Sequence, residues 1–209
     1  MTLDDALKSM PVVAVLRGLS PDEAEGVGQA LVDAAIPVME VPLNSPEPFK
    51  SIRIQANKFS GTSIVGAGTV LYPEDVARVA DAGGTIIVSP NFNPEVVRAT
   101  KRCGLLSVPG VFTPSEAFQA LDAGADALKL FPGDGLSPKV VKAMRAVLPK
   151  GTRLIVTGGV DAKNIGEWLA GGADGVGIGS ALYKPGKTVV EVAADAKAFA
   201  DATRAAMGR

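Results

Sequence analysis

Eight short apolar runs, each followed by a helical pattern, divide this chain at nearly even intervals. They are Val12–Leu16, Val38–Val41, Ile64–Ala67, Ile86–Val88, Leu105–Val108, Ala127–Phe131, Leu154–Val156 and Gly175–Ile178. The runs are too short for helices, and they are continuously apolar. That pattern marks strands buried on both faces, as in parallel sheets covered by helices. Helix starts follow most of them. Ser20-Pro21, Tyr72-Pro73, Thr113-Pro114 and Ser137-Pro138 each place proline at the first helical position. Helix ends carry glycine, at Gly83, Gly104, Gly124 and Gly171-Gly172. The 209 residues allow about 26 per unit, near the lower limit for a (β/α)8 barrel. An open doubly wound sheet is the main competitor. Its G-x-G-x-x-G fingerprint is missing, since Gly66-Ala-Gly68 and Gly175-Val-Gly177-Ile-Gly179 lack the full spacing.

An internal similarity favours the barrel. Asp33–Glu40, Asp81–Val88 and Asp122–Lys129 align without gaps, and Ala170–Gly177 is a weaker fourth copy. These segments lead into alternate strands. One layer of a (β/α)8 interior takes its side chains from four alternate strands. The last residues of the copies, Glu40, Val88, Lys129 and Gly177, are therefore predicted to share a layer. We read residues 1–209 as one α/β domain, a (β/α)8 TIM barrel with a short N-terminal helix.

Composition narrows the chemistry. Histidine is absent and Cys103 is the one cysteine. No Ser-His-Asp triad, His-bearing metal site, internal disulfide or cysteine zinc cluster can form. Proton transfer must rest on Glu, Asp, Lys or Tyr. The net charge of −1 gives no general pull toward nucleic acid or anionic lipid. No apolar run approaches the ~20 residues of a membrane span, and the acidic N-terminus lacks a signal-like stretch. A reducing, cytoplasmic setting is the simplest expectation.

Most lysines lie in polar or helical stretches, but Lys129 interrupts Ala-Leu-Lys-Leu-Phe, and Glu40 interrupts Val-Met-Glu-Val-Pro. A merely structural buried ion pair would bring little net stability after desolvation. The C-terminal ends of barrel strands are where catalytic groups lie. An apolar setting disfavours the ammonium form and frees the amine as a nucleophile toward carbonyls. Glu40 pulls the other way, yet it can accept and return a proton. Arg17, at the end of the first strand, is the candidate for a substrate carboxylate. Thr69 follows the Gly66-Ala-Gly68 turn. Gly158-Gly159 and Gly179-Ser180 end the last two strands, where phosphate often binds in this fold.

These residues resemble the class I aldolases that cleave 2-keto-3-deoxy-6-phospho-gluconate or -galactonate. The resemblance spans the chain. It rests on Val15-Leu-Arg17-Gly, Met39-Glu40-Val-Pro-Leu-Asn44-Ser-Pro, Gly66-Ala-Gly-Thr69-Val-Leu, Ser89-Pro90-Asn91, Ala127-Leu-Lys129-Leu-Phe131-Pro, Thr157-Gly158-Gly159-Val and Gly177-Ile-Gly179-Ser180. It implies a cytoplasmic homotrimeric barrel that acts without metal or cofactor on a phosphorylated keto-deoxy sugar acid. It implies that Lys129 forms a Schiff base and that Glu40 moves protons. Arg17, Thr69, Pro90, Phe131 and Thr157 would contact the substrate, and Gly158, Gly159, Gly179 and Ser180 its phosphate end. Asn44 and Pro90-Asn91 look like the galactonate type, and Thr157 like the gluconate type; more of the chain agrees with galactonate. Two other readings stay open from the residues: a non-covalent phosphate-binding isomerase or synthase, and a catalytically silent sugar-phosphate binder.

Overall fold

The computed structural model describes residues 1–209. Helix α1 (Leu3–Ser9) precedes strand β1 (Val12–Val15). Then follow α2 (Pro21–Asp33), β2 (Val38–Pro42), α3 (Pro48–Lys58), β3 (Ile64–Gly68), α4 (Pro73–Asp81), β4 (Ile86–Val88) and α5 (Pro94–Arg102). The second half holds β5 (Leu106–Val108), β6 (Gly110–Val111), α6 (Pro114–Asp122), β7 (Leu128–Leu130), a 3₁₀ turn (Gly133–Gly135) and α7 (Pro138–Val147). It ends with β8 (Leu154–Thr157), α8 (Ile165–Ala170), β9 (Gly175–Ile178) and α9 (Val189–Ala206). Proline opens α2 to α7, where its missing N–H costs nothing. At α6, Thr113 and Glu116 complete a capping box.

All neighbouring strands are parallel, in the order β5-β4-β3-β2-β1-β9-β8-β7-β6. The expected fifth strand appears as β5, and a further short segment, β6, follows it beyond the expected run, so the chain has nine strand segments. Pro109 stands between β5 and β6 and has no N–H to give. Strand β5 pairs with β4, and β6 with β7. The ring closes across the break, because Asp126 N–H donates to Ser107 O and Lys129 N–H to Pro109 O, both at 2.9 Å.

Apolar burial falls into two clusters. The larger, of 46 residues, lies between the strands and the surrounding helices. The smaller, of 11, fills the lower barrel interior. It includes Leu3, Ala6 and Leu7 of α1, which plug the barrel floor against Val13, Val38 and Ile155. Arg153 ties this plug down through bonds to Asp4 at 2.7 and 2.8 Å. The filling reaches Val88 and Val108 at the ends of β4 and β5, but on β2, β7 and β8 it gives way to Glu40, Lys129 and Thr157.

The internal repeats share a backbone device. Their third positions, Ala35, Gly83, Gly124 and Gly172, all have positive φ, at 62°, 87°, 103° and 99°. Each helix thus ends in a left-handed residue before the next strand. Copies three and four also share an aspartate. Asp126 accepts the Ser107 N–H and Asp174 the Leu154 N–H, each at 2.8 Å. Ala35 is the repeat position that carries a side chain against this backbone. Relieving it by Ala35→Gly should raise stability by about 0.5–1 kcal/mol, since the left-handed penalty outweighs glycine's extra chain entropy. Urea unfolding at pH 7 checks this, and an unchanged or lower midpoint would contradict it.

Candidate active site

Two charged side chains point into the barrel above the apolar filling. Glu40 is central in β2, paired with Val15 and Gly66, and Lys129 is central in β7, paired with Gly110 and Ile155. Both are buried, with 1% and 7% exposure. They line one chamber of ≈ 10 Å³ together with Val88, Val13, Ile86 and Thr157, which is room for about one water. Three ends of the aligned repeats thus meet in this chamber. Gly177, the fourth, makes room at its rim: a Cβ there would lie 2.3 Å from Thr157 Oγ1. Gly68 does the same for Glu40, since a Cβ would lie 1.7 Å from Oε2. That oxygen has no hydrogen-bond partner.

Burial sets the protonation of the pair. Desolvation pushes the Glu40 carboxyl up to about 7, against the opposing pull of the Lys129 and Arg17 cations. Desolvation lowers Lys129, Glu40 counters it, and the Arg17 cation adds to the lowering. Each group therefore changes charge more readily near neutral pH than it would in water. The Lys129 ammonium stands 5.0 Å from the centre of the Phe131 ring.

Above this chamber opens a cleft of ≈ 500 Å³, into which Arg17, Phe131, Thr157, Gly158, Gly159, Gly179 and Ser180 converge. Thr157 belongs to both spaces and marks their junction. The glycine pair has φ of 103° and 65°, a backbone that side chains would strain. On the opposite wall, Leu182 and Tyr183 close a turn by donating to Gly179 O, at 2.9 and 3.0 Å. The N–H groups of Gly158, Gly159, Val160, Gly179, Ser180 and Ala181 donate to no carbonyl of the chain. These unspent donors sit on two loops that line one cleft, the makings of an anion seat. Arg17 adds a guanidinium and donates weakly to the Thr69 hydroxyl at 3.4 Å.

Nine of the eleven residues singled out from the sequence thus line the chamber or the cleft. Thr69 stands beside them, on a separate hollow with Asn44, and holds an unusual φ of 54°. Pro90 lies apart from both linings; its carbonyl packs where a Cβ of Gly110 would be, at 2.3 Å. Asp134, in the turn after β7, also lines the cleft. Sequence reasoning passed over it, because Gly-Asp-Gly reads as an ordinary turn. Its one signal was its place just past Phe131-Pro132.

Comparison with known proteins bears on what this arrangement does. A probable 2-dehydro-3-deoxy-6-phosphogalactonate aldolase of Rhizobium meliloti (strain 1021) is 46% identical over 87% of this chain and 86% of its own. The 2-dehydro-3-deoxy-6-phosphogalactonate aldolase of Escherichia coli (strain K12) is 42% identical over 95% and 97%. A solved structure described as native KDPGal superposes with a TM-score of 0.93, at 42% identity over 96% of this chain and 97% of that one. The family model for KDPG and KHG aldolases matches residues 3–205. Matched by the family model over residues 3–205 and by relatives of 42% and 46% identity along most of its length, the chain belongs to the KDPG and KHG aldolase family, and the protein is a class I aldolase.

Proposed function

We propose that this protein cleaves 2-dehydro-3-deoxy-6-phosphogalactonate to pyruvate and D-glyceraldehyde 3-phosphate. The observation that carries the reading is the buried pair Lys129 and Glu40, beneath a cleft with an anion seat at one end. The neutral Lys129 amine attacks the C2 ketone, and loss of water leaves a protonated imine. Glu40 takes the C4 hydroxyl proton, and the C3–C4 bond breaks. Its electron pair flows toward the iminium nitrogen, which acts as the electron sink. The aldehyde leaves, the enamine takes a proton at C3, and hydrolysis frees pyruvate. Arg17, steadied by Thr69, receives the substrate carboxylate, and Phe131 packs beside the imine. Gly158, Gly159, Gly179 and Ser180 hold the phosphate, and Pro90 supports the rim from outside. The whole chain acts as one barrel unit, without metal or cofactor, in a cytoplasmic homotrimer; the resemblance to the family supports this part.

Borohydride reduction in the presence of pyruvate should leave a covalent adduct on Lys129, seen by mass spectrometry. Lys129→Ala and Lys129→Arg should both lose the adduct and the cleavage while keeping the fold, because arginine does not deprotonate to a nucleophile. Normal turnover by either variant would exclude the imine, and an isomerase or plain binder would give no adduct.

Glu40→Gln should lower turnover by about 10²-fold or more, the scale of general acid–base contributions. The ionised carboxylate is the base, and its pKa is raised to about 7. Activity should therefore fall as pH drops through about 7, an acid limb of kcat/KM that Glu40→Gln lacks. Stability should move the other way. The folded carboxyl holds its proton more tightly than the unfolded one, so burying Glu40 costs more as pH rises from the ordinary carboxyl range through about 7. Glu40→Gln should gain stability relative to the parent over that interval, and denaturant midpoints at pH 4 and pH 8 measure it.

The two candidate substrates differ in configuration at C4. With C2 held on Lys129 and the phosphate in its seat, the C4 hydroxyls point to different walls. Thr157 stands at the junction between those ends. Its hydroxyl offers the gluconate epimer a hydrogen bond worth roughly 2- to 13-fold in rate. The protein should cleave both epimers with galactonate preferred, and Thr157→Val should sharpen that preference. An unchanged kcat/KM ratio would remove Thr157 from epimer selection.

A further inference from the structure

The cleft holds two carboxylates that the proposed reaction does not use, Asp134 and Asp161. Asp134 sits between Gly133 and Gly135 in the 3₁₀ turn after β7. A Cβ on Gly133 would lie 2.3 Å from the carbonyl oxygen of Gly158 and 3.0 Å from that of Thr157. The turn is therefore pressed onto the end of β8 by a backbone contact that glycine alone permits. That contact sets the Asp134 carboxylate across the glycine pair. A Cβ at residue 158 would meet Oδ2 at 2.9 Å, and one at residue 159 would meet Oδ1 at 2.5 Å. The neighbouring carboxylate, Asp161, is already engaged, accepting the N–H groups of Lys163 and Asn164 at 2.8 and 3.0 Å. Asp134 is exposed to the cleft and carries no such bond.

A fixed negative charge beside an anion seat works against a bare phosphate. The same carboxylate is a strong acceptor for a hydroxyl. A sugar phosphate that carries a hydroxyl on the carbon next to its phosphoester carbon brings both groups at once. We propose that Asp134 is a specificity-determining residue of the phosphate end. It weakens the binding of phosphate alone and accepts a hydrogen bond from the hydroxyl vicinal to the phosphoester. The seat thereby selects hydroxylated phosphoesters over inorganic phosphate and over deoxy analogues. The hydroxyl half of this inference rests on the aldolase reading; the phosphate half needs only the seat.

Two measurements on the full chain test it. Inorganic phosphate is titrated calorimetrically into the parent, Asp134→Asn and Asp134→Ala. Both variants should bind it about fivefold or more tightly, the effect of removing one unit charge roughly 4 Å away in water. Then kcat/KM is measured for addition of pyruvate to glyceraldehyde 3-phosphate and to 3-oxopropyl phosphate, which lacks the hydroxyl. The parent should favour the hydroxylated aldehyde by about tenfold, as befits a hydrogen bond to a charged group. Asp134→Ala should lose most of that preference, and Asp134→Asn, which keeps an acceptor oxygen, should retain part of it. Equal phosphate affinities in parent and variants would overturn the proposal, as would an unchanged aldehyde preference in Asp134→Ala. If phosphate binds none of the three proteins, the glycine seat falls and Asp134's role with it. The borohydride adduct on Lys129 is independent of that seat, so it separates this failure from failure of the aldolase reading.

Discussion

Removing Glu40 and Lys129 from water is the constraint on which the rest of this structure depends. Either charge alone in a barrel interior would carry a large desolvation cost. Desolvation shifts each toward neutrality, the carboxyl upward and the amine downward, and the partner's charge limits the shift. The shifts exist because the barrel closes around the pair. Closure in turn depends on the break between β5 and β6, where Lys129 itself donates to Pro109 across the gap. The backbone bond that seals the ring is thus made by the residue whose side chain the ring encloses.

Space for this chemistry is made by absent side chains. Gly68 yields to the Glu40 carboxylate, Gly177 to Thr157, and Gly133 to the carbonyl end of β8. The lower barrel is packed by branched apolar residues and plugged by α1. The upper barrel is hollowed by glycine and opens into the cleft. This gradient from filled floor to open rim puts a dry amine within reach of a wet anion seat. A proposed substrate would span the two, with its ketone in the low-dielectric chamber and its phosphate among the free N–H groups.

Much of the fold was legible because the period of burial is written locally. Continuous apolar runs mark strands covered on both faces, and proline and glycine mark helix ends. The alignment of four segments even placed Glu40, Val88 and Lys129 about one chamber, because a closed barrel repeats its interior on alternate strands. Three features were not legible. Pro109 looks like one more turn residue until the ladder around it is seen to break. Pro90 packs its carbonyl against Gly110, a contact that no local pattern encodes. Asp134 gains meaning only from the backbone of Gly158 and Gly159, which follows the next strand.

By itself the sequence determined the alternation of strand and helix, the absence of imidazole and disulfide chemistry, and the two charged residues set in apolar strands. Those are properties of residue type and spacing along one chain. Tertiary structure alone decided that burial shifts the protonation of the two charges. It also decided that unspent N–H groups from two separate loops line one cleft, with a carboxylate laid across one of them. Each of these depends on distances between strands, on how water is excluded and on which backbone donors the ladder leaves unused. Such quantities do not exist until the ring has closed.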